Sequence, residues 1–352
     1  MSYLRRTLAM DLGTASVLVY RKSKGIVVNE PAVVAMNLYT NKIVAIGKEA
    51  KEMLGKTPGF IVAKRPLKDG VIADFNATEK MIKYFMQKSI GKTLLKPNLI
   101  ICVPSGINQV QRRAVIQASK LAGANKTFLI EEPLAAAYGC DIDVTSSKGS
   151  LVIDIGGGTT DVAVIAMGGM VVSKSIKTAG DECDAAISDY IKKKFNMVIG
   201  DTTAENLKVN IGNKETMNED NLIEVKGRNL LTGLPMHIFI TINDIMEAIS
   251  RPINEIVETV HSVLEKTPPE LAADLYDEGV YLTGGGALIK GLDEKLQNKI
   301  GIPVIIPNSP ETMVVKGTDK YLKNMDKFED EINGIDQWRF RFLEEKQKER
   351  RL

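Results

Sequence analysis

The stretch DIGGGTTDVAV, Asp154 to Val164, sets three glycines and two threonines between an aspartate and a run of β-forming residues. Glycine weakens a strand, because it brings no side chain to pack and loses much conformational freedom on ordering. Three in succession therefore ask for a reason, and a polyphosphate supplies one. Without Cβ atoms the backbone comes close to a phosphate and turns several N–H groups toward it, while Thr159 and Thr160 add hydroxyl donors. Asp154 then stands where an acceptor for a hydrated divalent cation belongs. A glycine β-bulge or a tight hairpin explains the same string without any ligand.

A second copy argues for the ligand. Near the N-terminus the chain reads RRTLAMDLGTASVLVYRKSKG, and after Ser147 it reads KGSLVIDIGGGTTDVAVIAMGG. Each has an apolar strand, an aspartate, an apolar residue and glycine, then threonine and small residues, then a second apolar strand. Asp11, Gly13 and Thr14 thus stand against Asp154, Gly156, Gly157, Gly158 and Thr159. Copies about 140 residues apart imply two related halves, each presenting a hairpin turn. Two such turns facing one another hold a chain of phosphates from both sides. A third glycine string, LTGGGALI from Leu282 to Ile289, contributes Gly284, Gly285 and Gly286 between a strand and a helix-like stretch. Glycine backbone at such a junction suits the close approach of a nucleoside or its α-phosphate.

The rest of the chain bounds this reading. With 352 residues, 44% hydrophobic and 26% charged, it fits a globular protein of two ordinary domains. A net charge of only +2 argues against a nucleic-acid partner. The three cysteines, Cys102, Cys140 and Cys183, have no metal-ligand spacing and read as reduced thiols of a cytosolic protein. Two histidines, His237 and His261, are too few and too isolated for a zinc site or a Ser-His-Asp machine. The opening MSYLRRTLAMDL meets Asp11 too early for a secretory leader, and no run of about 18 uncharged apolar residues spans a bilayer.

Apolar β-rich runs alternate with helix-like ones, the pattern of an α/β protein. LIICVP, Leu99 to Pro104, reads as a buried strand. The helix after it places Val110, Ala114, Ala118 and Leu121 on one face and ends at Gly123. TFLIEEP delivers Glu131 and Glu132 at the carboxyl end of a strand, where ligands of open α/β sheets gather, and Pro133 starts the next helix. Both glutamates are expected to point into the cleft.

Taken together, DLGT, EEPLAAA, DIGGGTTDVAV, AGDE and LTGGGALI resemble the nucleotide fold shared by actin, heat-shock chaperone ATPases and sugar kinases. Within it, RPLKDGVIADF (Arg65 to Phe75), CVPSGI, QRRAVIQASKLAGA and IEEPLAAAYG resemble the MreB family of bacterial actin homologues, from about Leu8 to about Leu322. The resemblance implies an α/β, actin-like, ribonuclease H-like duplicated two-domain fold with a nucleotide cleft between the lobes. Residues 1–140, completed by 311–335, would form the first domain, 141–310 the second, and 336–352 a charged amphipathic tail. It implies ATP or ADP with Mg²⁺ in the cleft, Asp11 and Asp154 acting on the metal through waters, and Gly13, Thr14 and Gly156 to Thr159 donating to phosphate oxygens. It makes Glu132 and Thr159 the catalytic pair that orients the attacking water, chemistry in which positioning suffices for slow hydrolysis. Gly180 would lie near the sugar, with Glu205 and Lys208 at the adenine and ribose. Their spacing equally allows an exposed helical ion pair between them. One position departs from the pattern: Asp319 stands where the family has a second glycine, which puts the geometry of that segment in question.

The implied function is that of a filament-forming cytoskeletal ATPase in cell shape or motility, cytoplasmic and peripheral on the inner face of the membrane. Self-association into double protofilaments is part of that implication. The membrane contact would come from Leu94 and Leu95, apolar wedges between Lys92 and Lys96. The tail offers another: Phe328, Ile332, Ile335, Trp338 and Phe342 recur at helical spacing ahead of a basic end. Both segments could instead pack on the protein itself. A small-molecule kinase on the same fold is the alternative, although no sugar-binding motif is evident.

Overall fold

The computed structural model describes residues 7–22, 24–91, 95–211 and 222–321. Leu94 and the tail from 322 onward lie outside them. Two five-stranded sheets have the same connectivity. In the first, Thr7–Leu12 lies at the centre, antiparallel to Ser16–Arg21 and parallel to Asn98–Val103; Gly25–Pro31 and Thr127–Glu131 complete the flanks. In the second, Ser150–Ile155 is central between Thr160–Ala166 and Val280–Thr283, with Gly169–Ile176 and Val304–Ile305 outside. In both, the pairing of second and third strands shifts register once. The duplication suggested by the two aspartate-glycine turns therefore extends through whole sheets.

The central strands are apolar at successive positions because both of their faces are covered. Side chains alternate across a strand, so Leu151, Ile153 and Ile155 enter the core of the second lobe while Val152 faces the other way. Leu99, Ile101 and Val103 fill the first lobe, and Ile100 and Cys102 turn with Val152 toward a shared layer. That layer holds the helix Glu132–Gly139, whose Ala135, Ala136 and Ala137 are fully buried between the sheets. Each lobe also carries a three-stranded sheet, one with Val34–Asn37 at its centre and one with Ile223–Asn229. Among the described residues no helix is long and apolar enough to cross a membrane.

Several sequence expectations need revision. The helix Gln109–Ala122 is capped by Asn108 and Gln111 at its start and by Gly123 at its end, as its sequence indicates. Its inward face, however, is Val115, Ala118, Ser119 and Ala122, whereas Val110 and Leu121 are 75% and 59% exposed. Small residues win the inner face because the helix sits close to its neighbours, and Ser119 is tolerated there by donating to the Val115 carbonyl at 2.8 Å. Asp319 is buried within a helical segment, 313–321, and has no positive φ, so the missing glycine leaves no strained turn.

That segment meets the helix Glu132–Gly139 backbone to backbone. A Cβ on Gly317 would lie 1.7 Å from the Ala135 carbonyl oxygen, and one on Gly139 would lie 2.1 Å from that of Met313. Neither neighbour is a flexible side-chain end that could yield. Gly317→Ala is expected to lower stability by about 1–3 kcal/mol, the ordinary range for overpacking, read as a fall in the chemical-denaturation midpoint.

Candidate functional site

The two central hairpins turn in the same way. Gly13 N–H donates to the Ser16 carbonyl at 3.1 Å, and Gly156 N–H donates to the Thr159 carbonyl at 2.9 Å. The turns come from different lobes and meet. A Cβ on Gly157 would lie 2.6 Å from Ala15 Cβ, and one on Gly158 would lie 2.4 Å from Thr14 Oγ1. Any side chain at either position would wedge the turns apart, so this close approach is the structural requirement for the glycines.

The turns border a cavity of about 270 Å³. Lining it are Asp11, Gly13, Thr14, Glu132, Asp154, Gly156, Gly157, Gly158, Thr159, Gly180, Glu205, Lys208, Gly284, Gly285 and Gly286. Every cleft residue that the sequence nominated for nucleotide, metal or catalysis is there. Glu131 is not: its carboxylate turns to Arg112 at 2.6 Å, since successive residues at the end of an extended strand point in opposite directions. The third glycine string also differs in detail from its expectation. It leads into a short 3₁₀ turn, Gly285–Leu288, and the α-helix starts only at Leu292. Gly284 and Gly286 are packed on Ile155, whereas Gly285 is exposed with open space around it.

The helix Gly180–Phe195 is anchored to the second turn through its first residues. Gly180 N–H donates to the Gly156 carbonyl at 3.2 Å and Asp181 N–H to that of Gly157 at 2.8 Å. Lys208 donates to the Gly180 carbonyl at 2.8 Å and pairs with Asp184 at 2.8 Å. Glu205 pairs with Lys51 at 2.8 Å and lies 3.5 Å from Arg65, which itself holds Asp181 at 2.7 Å. Glu205 and Lys208 thus take other partners in place of one another. Arg65, Asp181 and Asp184 line the cavity without having been nominated, because their partners are remote in sequence and no local spacing marks them.

The cleft is acidic at its centre. Burial, and then the neighbouring Asp154, pushes Asp11 up to about 7. Burial and Asp161 push Asp154 up to about 6, against the Thr283 hydroxyl that donates to its Oδ1 at 2.7 Å. Burial pushes Glu132 well above the carboxylate range, with Asp161, Asp11 and Asp154 adding to it. Carboxylates so placed lack positive charge, and a hard divalent cation would supply it. Among the described residues no three His, Cys, Asp or Glu side chains form a direct cage. The donor set therefore fits a cation held by carboxylates through waters and by a ligand's own oxygens, as Mg²⁺ prefers.

Duplicated sheets with apposed turns beneath one interlobe cleft define an actin-like fold. The comparisons agree. Residues 5–330 match the family model of the MreB/Mbl protein. The cell shape-determining protein Mbl of Bacillus subtilis is 46% identical over 92% of this chain and 97% of its own length. The cell shape-determining protein MreB of Escherichia coli is 46% identical over 91% of this chain and 94% of its own. Crystal structures of MreB5 of Spiroplasma citri bound to ADP and to AMPPNP superpose with TM-scores of 0.86 at 37% identity, covering 93% and 94% of this chain and 99% of theirs. A MamK double helical filament shares the fold at a TM-score of 0.76 and 19% identity, covering 91% of this chain and 99% of that one. The chain belongs to the MreB/Mbl family.

The raised Asp11 has a consequence for stability. A carboxyl protonated more readily in the folded state contributes most below its unfolded value, near 3.8, and that contribution is lost as pH rises through about 7. Asp11→Asn should accordingly stabilise the ligand-free protein at pH 8, by on the order of 1–2 kcal/mol, and leave it nearly unchanged near pH 4. Calorimetric melting at the two pH values reads the difference.

Proposed function

We propose that this chain binds ATP with Mg²⁺ between its lobes, hydrolyses it slowly and assembles into filaments of a membrane-associated cytoskeleton serving cell shape or motility. The observation that carries the reading is the pair of matched glycine turns in contact across one cavity. Relatives bound to ADP and AMPPNP support the nucleotide, and the family's cell shape-determining members support the role. A small-molecule kinase, the other use of such a fold, has less support, since the family over nearly the whole length is that of the cell shape-determining proteins. The proposed division places residues 1–140 with 311–335 in one domain and 141–310 in the other. Packing of the 313–321 helical segment on Glu132–Gly139 supports it.

Asp11 and Asp154 would hold Mg²⁺ through its waters, and the metal would supply charge to the phosphate oxygens. Gly13, Thr14 and Gly156 to Thr159 bring the N–H and hydroxyl donors of the two turns to those oxygens. Gly180, Glu205, Lys208 and Gly284 to Gly286 surround the nucleoside end. Glu132 and Thr159 hold a water beside the terminal phosphate, one accepting through a carboxylate and one through a hydroxyl. Closing the lobes on a nucleotide fixes their relative angle, and a fixed angle favours one way of packing subunits into a double protofilament. Leu95 is 48% exposed and Lys96 follows it, a placement suited to an anionic membrane surface.

Hydrolysis and assembly separate in variants. Glu132→Ala is expected to lower phosphate release about 100-fold or more, as loss of a water-positioning group does, while ATP binding and pelleting of filaments persist. Soluble monomers that transfer phosphate to a small molecule would overturn the reading. For the membrane, Leu94→Ser with Leu95→Ser should reduce co-sedimentation with anionic liposomes, and unchanged sedimentation would shift the contact to residues 339–352, tested by their deletion.

A further inference from the structure

The helix Gln109–Ala122 turns an apolar stripe outward. Val110, Ala114 and Leu121 fall on one line at helical spacing, and Val110 and Leu121 are largely exposed. Ile116, also exposed, stands one turn on from Arg112. The helix carries Arg112, Arg113 and Lys120 and no acidic residue, a charge of +3. The described chain ends beside it. Tyr321 packs on Tyr138 with ring centroids 5.6 Å apart. Glu131, the partner of Arg112, adds to the upward push that burial gives the Tyr321 phenol. The sequence that follows is patterned. The buried face of the helical segment 313–321 holds Val314 and Thr318, and in alternating steps of four and three residues it continues as Tyr321, Met325, Phe328, Ile332 and Ile335. Between residues 322 and 338 five acids, Asp326, Glu329, Asp330, Glu331 and Asp336, stand against Lys323 and Lys327, a charge of −3.

We propose that residues 322–338 fold back on their own subunit and lay this stripe across the exposed face of the helix Gln109–Ala122. The dimensions agree. Val110 to Leu121 covers about 16 Å of helix, and Phe328 to Trp338 covers about 15 Å as helix. From Tyr321 the chain reaches Phe328 over about 10 Å as helix and about 23 Å when extended, enough to pass Arg112. Apolar contact and opposite charge act together there, because Arg113 and Lys120 flank one stripe while acids flank Phe328 and Ile332 in the other. Charge also decides among occupants. A segment of −3 is repelled by an anionic membrane surface and by a second copy of itself, and is attracted to a helix of +3. The basic residues from Arg339 onward take no part in this contact.

Trp338 is the sole tryptophan, so its fluorescence reports this segment alone. In the full-length protein at nanomolar concentration, without nucleotide or lipid, Trp338 should resist quenching by acrylamide. Val110→Glu with Leu121→Glu, both at exposed positions, should raise the quenching several-fold, to that of a free indole. Complete quenching in the dilute wild type overturns the proposal. So does protection that appears only as protein concentration rises, which would make a second copy the occupant, or only with anionic liposomes, which would make it the lipid surface. Protection that survives the paired substitution in a folded protein overturns it as well, since the segment would then lie elsewhere. If circular dichroism shows that this pair does not fold, Arg113→Glu with Lys120→Glu, which alters only exposed charges, takes its place and is judged by the same criterion.

Discussion

The structure depends on two hairpin turns from different lobes approaching so closely that only glycine fits between them. Gly157 faces Ala15 and Gly158 faces Thr14 at separations that leave no space for a Cβ. Everything that defines the cleft follows from this. The aspartates that precede the turns arrive side by side, Thr159 comes within reach of Gly70, and Glu132 enters from the helix wedged between the sheets. The electrostatic state of the site follows too. Four acids, the half-buried Asp11 and the buried Glu132, Asp154 and Asp161, are forced together, each with a raised pKa. Such crowding raises the cost of ionising these acids, and a ligand that brought cations with its phosphates, as proposed above, would relieve it.

Much of this is legible in the sequence, and for a physical reason. The hairpins are local: an apolar strand, an aspartate, glycines and a second strand lie within a few residues of one another, so their geometry is written contiguously. Repetition of the pattern discloses the duplicated sheets. The cleft residues carried by these strings, and Glu132 at a strand end, were reachable for the same reason. What escaped is what the tertiary structure alone brings together. Arg65 meets Asp181 and Glu205 across more than a hundred residues of chain, and Ser105 reaches Asp161 from another lobe. Asp161 did leave a trace, a charge inside a strand whose other members are buried, but it stood in the shadow of the glycines.

The misreadings share one cause. A helical face of Val110, Ala114, Ala118 and Leu121 is the more hydrophobic choice, yet the fold needs the thinner one with Val115, Ser119 and Ala122. Glu131 looked equivalent to Glu132 until the chain's turn into the helix sent it to Arg112. Asp319, standing where the family has a glycine, left the geometry of its segment in question until the segment proved helical. In each case hydrophobicity or residue type was weighed without the local backbone conformation and orientation that the folded chain gives the residue. The ion pairs of Lys51 and Arg65 with Asp181 and Glu205 add a further interlobe contact, which shows that the cleft is held at its edge as well as at its turns.

The central claim, that apposed turns grip a polyphosphate, is tested most directly by calorimetric titration of the wild-type protein and of Gly158→Ala with ATP, ADP and AMP in the presence of Mg²⁺. The account predicts binding that weakens as phosphates are removed, and at least about a tenfold loss for ATP in the alanine variant, whose new methyl group would press on Thr14. Equal affinity for AMP and ATP, or an undiminished Gly158→Ala, would contradict it.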